Sequence, residues 1–438
     1  MLRSRAYVGL LVVAAVLGVP ISAAAYGFLA LVSYLQEELF THLPHGLGFA
    51  TVPAWWPLPM LVIGGVLTAL AIRYLPGNGG PSPAGGFAMH PPPTPVQLPG
   101  AILAALATLA FGAVLGPELP LIALGGGLGV LATKAARRRQ MPAQAVRMLG
   151  ITGSFAAIST LLGSPITGAF LLMEASGLGG PTLGLVLLPG LLASGVGALI
   201  FIGLGSVTGL GTFALAIPNL PHFSRPDLAE FAWAIVIGLA AAIIGPAIHR
   251  LGLFLHGYAT RWTMIVVPLA GAVVGVLTII YTEATGKPAS DVLFSGQDDM
   301  GPLIQHAASY SVGALLLLLV CKGLAYGASL SSFRGGPIFP ALFIGTAGGI
   351  ALSHLPGLPL VAGVAMGLGA MSVVMLSLPL TSVLLPSILL ASDAVAVMPL
   401  VIVAVVVAHV AAAHLAPRPA ARPAEVAGQP VVRTSGGG

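Results

Sequence analysis

The sequence predicts an all-α polytopic membrane protein, and three observations carry that expectation. Only 7% of the 438 residues are charged and 57% are hydrophobic, against about 25% charged in an average soluble domain. A mean hydropathy of +1.02 makes most windows of about 19 residues membrane-like on a transfer scale. Many of the 59 Gly and 37 Pro interrupt the apolar blocks, where backbone breaks survive only if neighbouring helices or water satisfy the freed groups. Broken and re-entrant helices follow, and a water-soluble chain is excluded. The single cysteine, Cys321, removes an intramolecular disulfide and a thiolate metal cage. The net charge of +5 is spread over loops, so membrane topology accounts for it better than a nucleic-acid partner does.

The N-terminus, with Arg3 and Arg5 ahead of an apolar run, opens like a signal peptide. The run continues to Leu35, too long for a secretory core, and reads as a first spanning helix with its N-terminus in the cytoplasm. Apolar blocks follow at about 57–75, 99–132, 146–176, 181–217, 228–257, 263–281, 308–330, 338–352, 358–390 and 395–415. Their lengths run from about 15 to above 30 residues, where a perpendicular span needs about 20, which predicts about 14 to 18 helical pieces with tilted and partial spans among them. Lys134, Arg137, Arg138 and Arg139, with Arg147 beyond, form the densest basic stretch and belong on the cytoplasmic side. The segment PNLPHFSRPD, 218–227, reads as a linker in which Asp227 can cap the next helix. It divides a first membrane repeat, 1–217, from a second, 228–415. Residues 416–438 are rich in Pro, Ala and Gly and read as a disordered tail with no appended regulatory domain.

The two halves repeat each other. Gly116-Pro117-Glu118-Leu119-Pro120 through Gly125 lies over Gly336-Pro337-Ile338-Phe339-Pro340 through Gly345, an offset of 220 (336 − 116). Ser164-Pro165-Ile166-Thr167-Gly168 lies over Leu378-Pro379-Leu380-Thr381-Ser382, an offset of 214 (379 − 165). Duplicated halves commonly place a substrate site at the bilayer midplane, between helices that begin there.

The repeated element has its own chemistry. A helix starting inside the membrane leaves its first N–H groups unpaired and carries about half a positive charge at that end, which attracts an anion. Gly allows close approach and a sharp turn, and Pro in the first turn removes a donor that would go unpaired. Gly116-Pro117 and Gly336-Pro337 fit two such tips, and Gly77-Asn78-Gly79-Gly80-Pro81 fits a third. Partial charges suit conduction, because a full cation in a dry site would hold an anion too long. An ionisable side chain such as Glu118, deep in an apolar block, is functional by default; the plainer reading is that it complements a helix N-terminus.

These residues resemble the CLC family of chloride channels and chloride/proton antiporters. Leu115 to Pro120 with Gly125, Gly126 and Gly129 resembles that family's GREGP element, Gly77 to Pro81 its GSGIP loop and Gly336 to Pro340 its GIFAP element, in the family's order. The chain thereby resembles a divergent prokaryotic-type member without CBS domains. The resemblance implies an inverted repeat of two halves, a homodimer with one pore per subunit, residence in the cell membrane, no cofactor, and passage of a small inorganic anion, most directly chloride. It implies that Glu118 is the gate, its carboxylate competing with the anion, and that Gly77, Asn78, Gly79, Gly116, Gly336, Ile338 and Phe339 bind the anion. Asn78 replaces the family's serine and still offers donors, although a turn residue is the simpler account. Pro337 removes one family amide and leaves those of Ile338 and Phe339. Ala175, after Glu174, stands where the antiporters carry their proton-transfer glutamate, and the stretch Leu389 to Pro399 contains no counterpart of the pore-lining tyrosine. Channel-like or loosely coupled conduction is therefore favoured over strict chloride/proton exchange, which stays open with Glu174 as its acid. A non-transporting scaffold or sensor is the alternative from another class.

Other features take ordinary readings. His249 and His256 share a helix face with no acid or Cys to complete a metal set, and the HExxH, GxSxG and Walker A patterns of common membrane enzymes and pumps are missing. Trp55, Trp56, Trp233 and Trp262 read as an interfacial belt, and Asp291, Asp298, Asp299 and Lys287 as a solvated polar loop.

Overall fold

The long apolar blocks break where Gly and Pro stand. The computed structural model describes residues 5–135, 143–177, 180–209, 223, 225–390 and 394–415, and these form sixteen α-helices. Helix α1 (Arg5–Glu37) continues through a π-turn into the short α2 (Leu43–Gly46), and α3 (Pro57–Tyr74) returns. The block at 99–132 divides into α4 (Leu98–Ala110) and α5 (Glu118–Ala135), that at 146–176 into α6 (Ala143–Leu162) and α7 (Pro165–Ser176), followed by α8 (Gly180–Thr208). The second half holds α9 (Leu228–Arg261), α10 (Thr263–Thr285), α11 (Met300–Gln305), α12 (Val312–Ser332), α13 (Ile338–Ser353), α14 (Leu360–Leu376), α15 (Pro379–Leu390) and α16 (Ala394–Leu415). Among the described residues eight helices are long and apolar enough to cross a membrane. At about 1.5 Å per residue the 16-residue α13 spans only about 24 Å, short of the hydrocarbon core, so it is a partial span.

The halves are related by inversion. Gly116 and Gly336 form an antiparallel bridge, donating N–H to each other's carbonyl at 2.8 and 2.6 Å, so α5 and α13 leave it in opposite directions. α3 and α10 also run antiparallel: a Cβ on Gly65 would meet Pro268 and one on Gly275 would meet Leu58. Each half packs its re-entrant helix on the next through glycines. In the first, Gly125 faces Gly153 and Gly129 faces the Leu149 carbonyl; in the second, Gly345 faces Gly367 and Gly349 faces Gly363. Such small-residue stripes let backbones approach in lipid, where association depends on close packing. The glycines obey both sequence offsets, 220 (345 − 125) and 214 (367 − 153).

Basic residues predominate at one end, and acidic residues gather at the other, where Arg225 and Lys287 also lie. Arg73, Lys134 and Arg261 close α3, α5 and α9 at one end, while Glu37, Asp227 and Asp299 lie at the other. The positive-inside rule makes the basic end cytoplasmic. Asp227 caps α9 as its position implied: its side chain accepts from Glu230 N–H at 2.9 Å and Glu230 returns the bond at 3.0 Å, a capping box. Most of the 218–227 linker, Arg137 to Arg139 and the 416–438 tail lie outside the described residues.

Two ordinary readings need correction. Trp56 is buried, with Nε1 donating to the Leu39 carbonyl at 2.9 Å, so it ties the first loop down instead of joining an interfacial belt. Asp291 is no solvated turn residue. It is buried, its Oδ2 accepts from Tyr281 and Tyr310 hydroxyls at 2.7 and 3.0 Å, and burial pushes its carboxyl above the ordinary range against those two bonds.

Candidate functional site

The site forms where the two repeats meet head to head. The approaches pair at Gly116 and Gly336, with Gly116-Pro117 leading into α5 and Gly336-Pro337 into α13. Each approach is held by a hydroxyl from the opposite half. Ser329 Oγ, in the last turn of α12, accepts the Val114 N–H at 3.1 Å, and Thr108 Oγ1, in the last turn of α4, accepts the Arg334 N–H at 3.1 Å. Buried amides outside regular structure need such partners. The sequence signal was present, since 329 − 108 and 334 − 114 give 221 and 220, but two hydroxyls in apolar helices do not stand out from a single chain.

Glu118, the first residue of α5, is fully buried, and its Oε1 accepts the Phe339 N–H at 2.8 Å. Its carboxylate thus occupies the N-terminal tip of α13, in the opposite repeat, where a partial positive charge favours an anion. Among the described residues Oε2 has no hydrogen-bond partner, and it lies against Gly116 and Gly336; a Cβ on either glycine would run into the carboxylate. The glycines are therefore required by close approach. Of the two amides that Pro337 leaves in this turn, that of Phe339 is engaged by Glu118. Ile338, the counterpart of Glu118, is fully buried.

Cavities flank this point. One of about 320 Å³ is lined by Gly77, Asn78 and Pro81 and by Leu119, Ile122 and Ala123 of α5. Another, of about 230 Å³, is lined by Leu115 and Pro117 and by Ser295, Gln297, Asp298 and Asp299. The residues on either side of Glu118 thus line different cavities, one toward the basic end and one toward the acidic end. Burial pushes the Asp299 carboxyl upward, and the Lys322 charge pulls it back in part.

The Gly77–Pro81 loop departs from expectation, because no membrane helix begins there. Gly77, Asn78, Gly79 and Gly80 all take positive φ (85°, 51°, 70° and 86°), and Gly80 N–H bonds the Gly77 carbonyl at 2.9 Å. The chain then makes only a 3₁₀ turn, Pro83–Gly85, before α4. Asn78 is exposed at the inner cavity; no hydrogen bond joins it to Glu118.

Glu174 is tied to the second half. It closes α7 and caps α15, accepting the Leu380 and Thr381 N–H groups at 2.9 and 2.8 Å and the Thr381 hydroxyl at 2.7 Å. An acid is poorly placed at the C-terminus of its own helix but well placed at the N-terminus of another.

Two buried side chains escaped sequence reasoning. Tyr326 donates its hydroxyl to the Pro337 carbonyl at 2.7 Å and so fixes the turn into α13. Lys322 is fully buried, donates to the Asp291, Val292 and Leu293 carbonyls at 2.8, 3.3 and 3.1 Å, and stands 4.1 Å from the Phe343 ring centroid. It moors the loop that walls the outer cavity. His249 and His256 bond the Ala84 and Ser331 carbonyls at 3.1 and 2.9 Å.

Comparison with known proteins is consistent across the chain. The profile of the voltage gated chloride channel family matches residues 60–413. The proposed ion-transport protein YfeO of Escherichia coli (strain K12 / DH10B) is 29% identical over 380 residues, 85% of this chain and 86% of that protein. YfeO of strain CFT073 is 30% identical with the same coverage. A crystal structure of a slow cyanobacterial Cl⁻/H⁺ antiporter superposes with TM-score 0.75 at 21% identity, covering 94% of this chain and 95% of that one. One of a CLC-type fluoride/proton antiporter superposes with TM-score 0.61 at 18% identity, covering 92% and 95%. At these identities the two structures speak for the fold.

Proposed function

The chain belongs to the voltage gated chloride channel family, and from that premise we propose that it passes a small inorganic anion, chloride foremost, across the cell membrane along a path gated by Glu118. The observation that carries this reading is the Glu118 carboxylate on the Phe339 N–H, between cavities that open toward opposite ends. A carboxylate there stands in for the transported anion. When it is protonated its negative charge is gone, the bond to the helix tip weakens, and an anion takes its place on amides of Ile338 and Phe339, with Gly116 and Gly336 leaving the room. Gly77, Asn78 and Gly79 line the inner approach. Helix-tip partial charges bind weakly enough for the anion to leave.

With Ala175 at the family's proton-transfer position and Glu174 engaged in capping α15, channel-like or loosely coupled passage fits best. Strict proton-coupled exchange, the activity named for the two antiporters of like fold, is kept as the second reading. Assembly as a homodimer, one path per subunit, belongs to the same proposal. Chloride efflux from liposomes holding the purified protein, recorded with internal pH under an outward chloride gradient, tests it. Efflux without uphill proton movement supports the first reading, fixed-ratio proton movement the second, and no efflux of chloride, fluoride or nitrate rejects both.

A further inference from the structure

A third cavity, of about 330 Å³, lies at the basic end and is walled by Arg73, Asn78, His256, Thr260, Ser332 and Arg334. Arg334 leads from α12 toward Gly336 and is only partly exposed. Its Nη1 reaches the Phe333 carbonyl at 3.2 Å and its Nη2 the Asn78 carbonyl at a long 3.5 Å, while its Nε is buried and meets no acceptor among the described residues. Among the described residues the only ion pairs are those of His42 with Glu37 and Glu38, so no carboxylate balances Arg334 or Arg73. A guanidinium carries five donors and a lasting charge, and buried donors without partners are costly unless water or a ligand completes them.

Asn78 lines both this cavity and the one that reaches Leu119, so the two meet at one residue. We infer that the Arg334 cavity is a loading site for the transported anion, in series with Asn78 and Glu118, where the unpaired guanidinium raises the local anion concentration on the basic side. The inference rests on the anion-transport reading above and adds a station to its path. A full charge that would trap an anion in a dry pore is suited to this mouth, where water screens it and the anion passes on. The family motifs supply helix tips; this site uses a side-chain cation two residues before Gly336.

The test pairs binding with flux on the full-length protein. Chloride is titrated calorimetrically into detergent-solubilised wild type, Arg334→Gln and Arg334→Lys, and isotopic chloride exchange is measured in liposomes across a symmetrical chloride series. Loss of one unit of charge near the ion should weaken chloride binding and raise the half-saturating concentration about fivefold in Arg334→Gln. Arg334→Lys should keep both shifts under about twofold. Equal binding by wild type and Arg334→Gln overturns the site, as does an Arg334→Lys defect as large as that of Arg334→Gln, which would mark Arg334 as a structural support. Wild type that binds chloride in an Arg334-dependent way but exchanges none leaves the site standing and removes the transport reading instead.

Discussion

The backbone N–H of Phe339 donates to Oε1 of Glu118 across 2.8 Å, although the two residues stand 221 positions apart in the chain. The bond joins the first residue of one re-entrant helix to the opening turn of its inverted counterpart. It places a carboxylate where a helix tip would otherwise face an anion. The proposed gating by competition rests on that placement, because the same amide cannot serve both.

Glu118→Gln keeps a carbonyl oxygen for the Phe339 N–H and removes the charge. Anion flux at neutral pH is expected to rise, and most of its dependence on pH between 5 and 8 to vanish, measured as chloride efflux from liposomes. An unaltered pH profile would leave Glu118 as a helix-tip complement only.

Gly336→Ala tests the same contact from the other side, since the added Cβ collides with the docked carboxylate. Expulsion of the carboxylate should reproduce the weak pH dependence of Glu118→Gln while Glu118 is intact. Because the variant can also strain the Gly116 bridge, the pair with Glu118→Ala is informative. The double variant should recover thermal stability relative to Gly336→Ala alone, a coupling expected only of residues in contact.

Lys322→Met leaves the Asp291, Val292 and Leu293 carbonyls without their donor. Leaving buried acceptors without their donor costs about 1–3 kcal/mol, so a fall in melting temperature in detergent is expected. A variant as stable as wild type would show that the Asp291–Leu293 loop is moored by other contacts.

Glu174→Gln separates capping from proton carriage. As a cap, the carboxylate contributes about 1–2 kcal/mol through its charge and its N–H bonds, so the variant should melt earlier yet keep whatever proton coupling the wild type has. Coupling lost with the melting temperature unchanged would instead make Glu174 a proton carrier.

Asp299 is expected to give the outer cavity its own pH response. Burial raises its carboxyl, so it neutralises at a higher pH than an exposed aspartate, whose usual value is about 3.9. As pH falls through that raised range the mouth loses negative charge, and anion access from the acidic end should become easier. The effect is best read in the Glu118→Gln background, where a residual acid-side increase in flux should disappear on Asp299→Asn. Persistence of the increase would assign it to another group.

The sequence carried the membrane class, the two helix tips and the duplication because each leaves a local mark. Gly116 and Gly336 are read directly, since no other residue leaves room for the Glu118 carboxylate, and Asp227 with Glu230 writes a capping box in four positions. The loop at Gly77 departs from its sequence reading because Gly and Pro mark a break without fixing the element after it; here four positive φ angles in a row lead to a turn. Thr108, Ser329, Tyr326 and Lys322 are invisible in the sequence as site-builders. Lys322, Tyr326 and Ser329 lie in the apolar α12 and Thr108 in α4, and no local pattern marks the partner that each finds outside its own helix. Asp291 reads as solvated for the same reason, as its two tyrosine partners sit in α10 and just before α12.

Bromide, a chloride substitute visible by anomalous scattering, tests the head-to-head tips most directly. In crystals of Glu118→Ala grown in bromide, an anomalous peak should appear within hydrogen-bond distance of the Phe339 amide, in the space vacated by the carboxylate. A well-ordered Glu118→Ala structure with no bromide at that amide, and bromide bound elsewhere along the chain, would contradict the account.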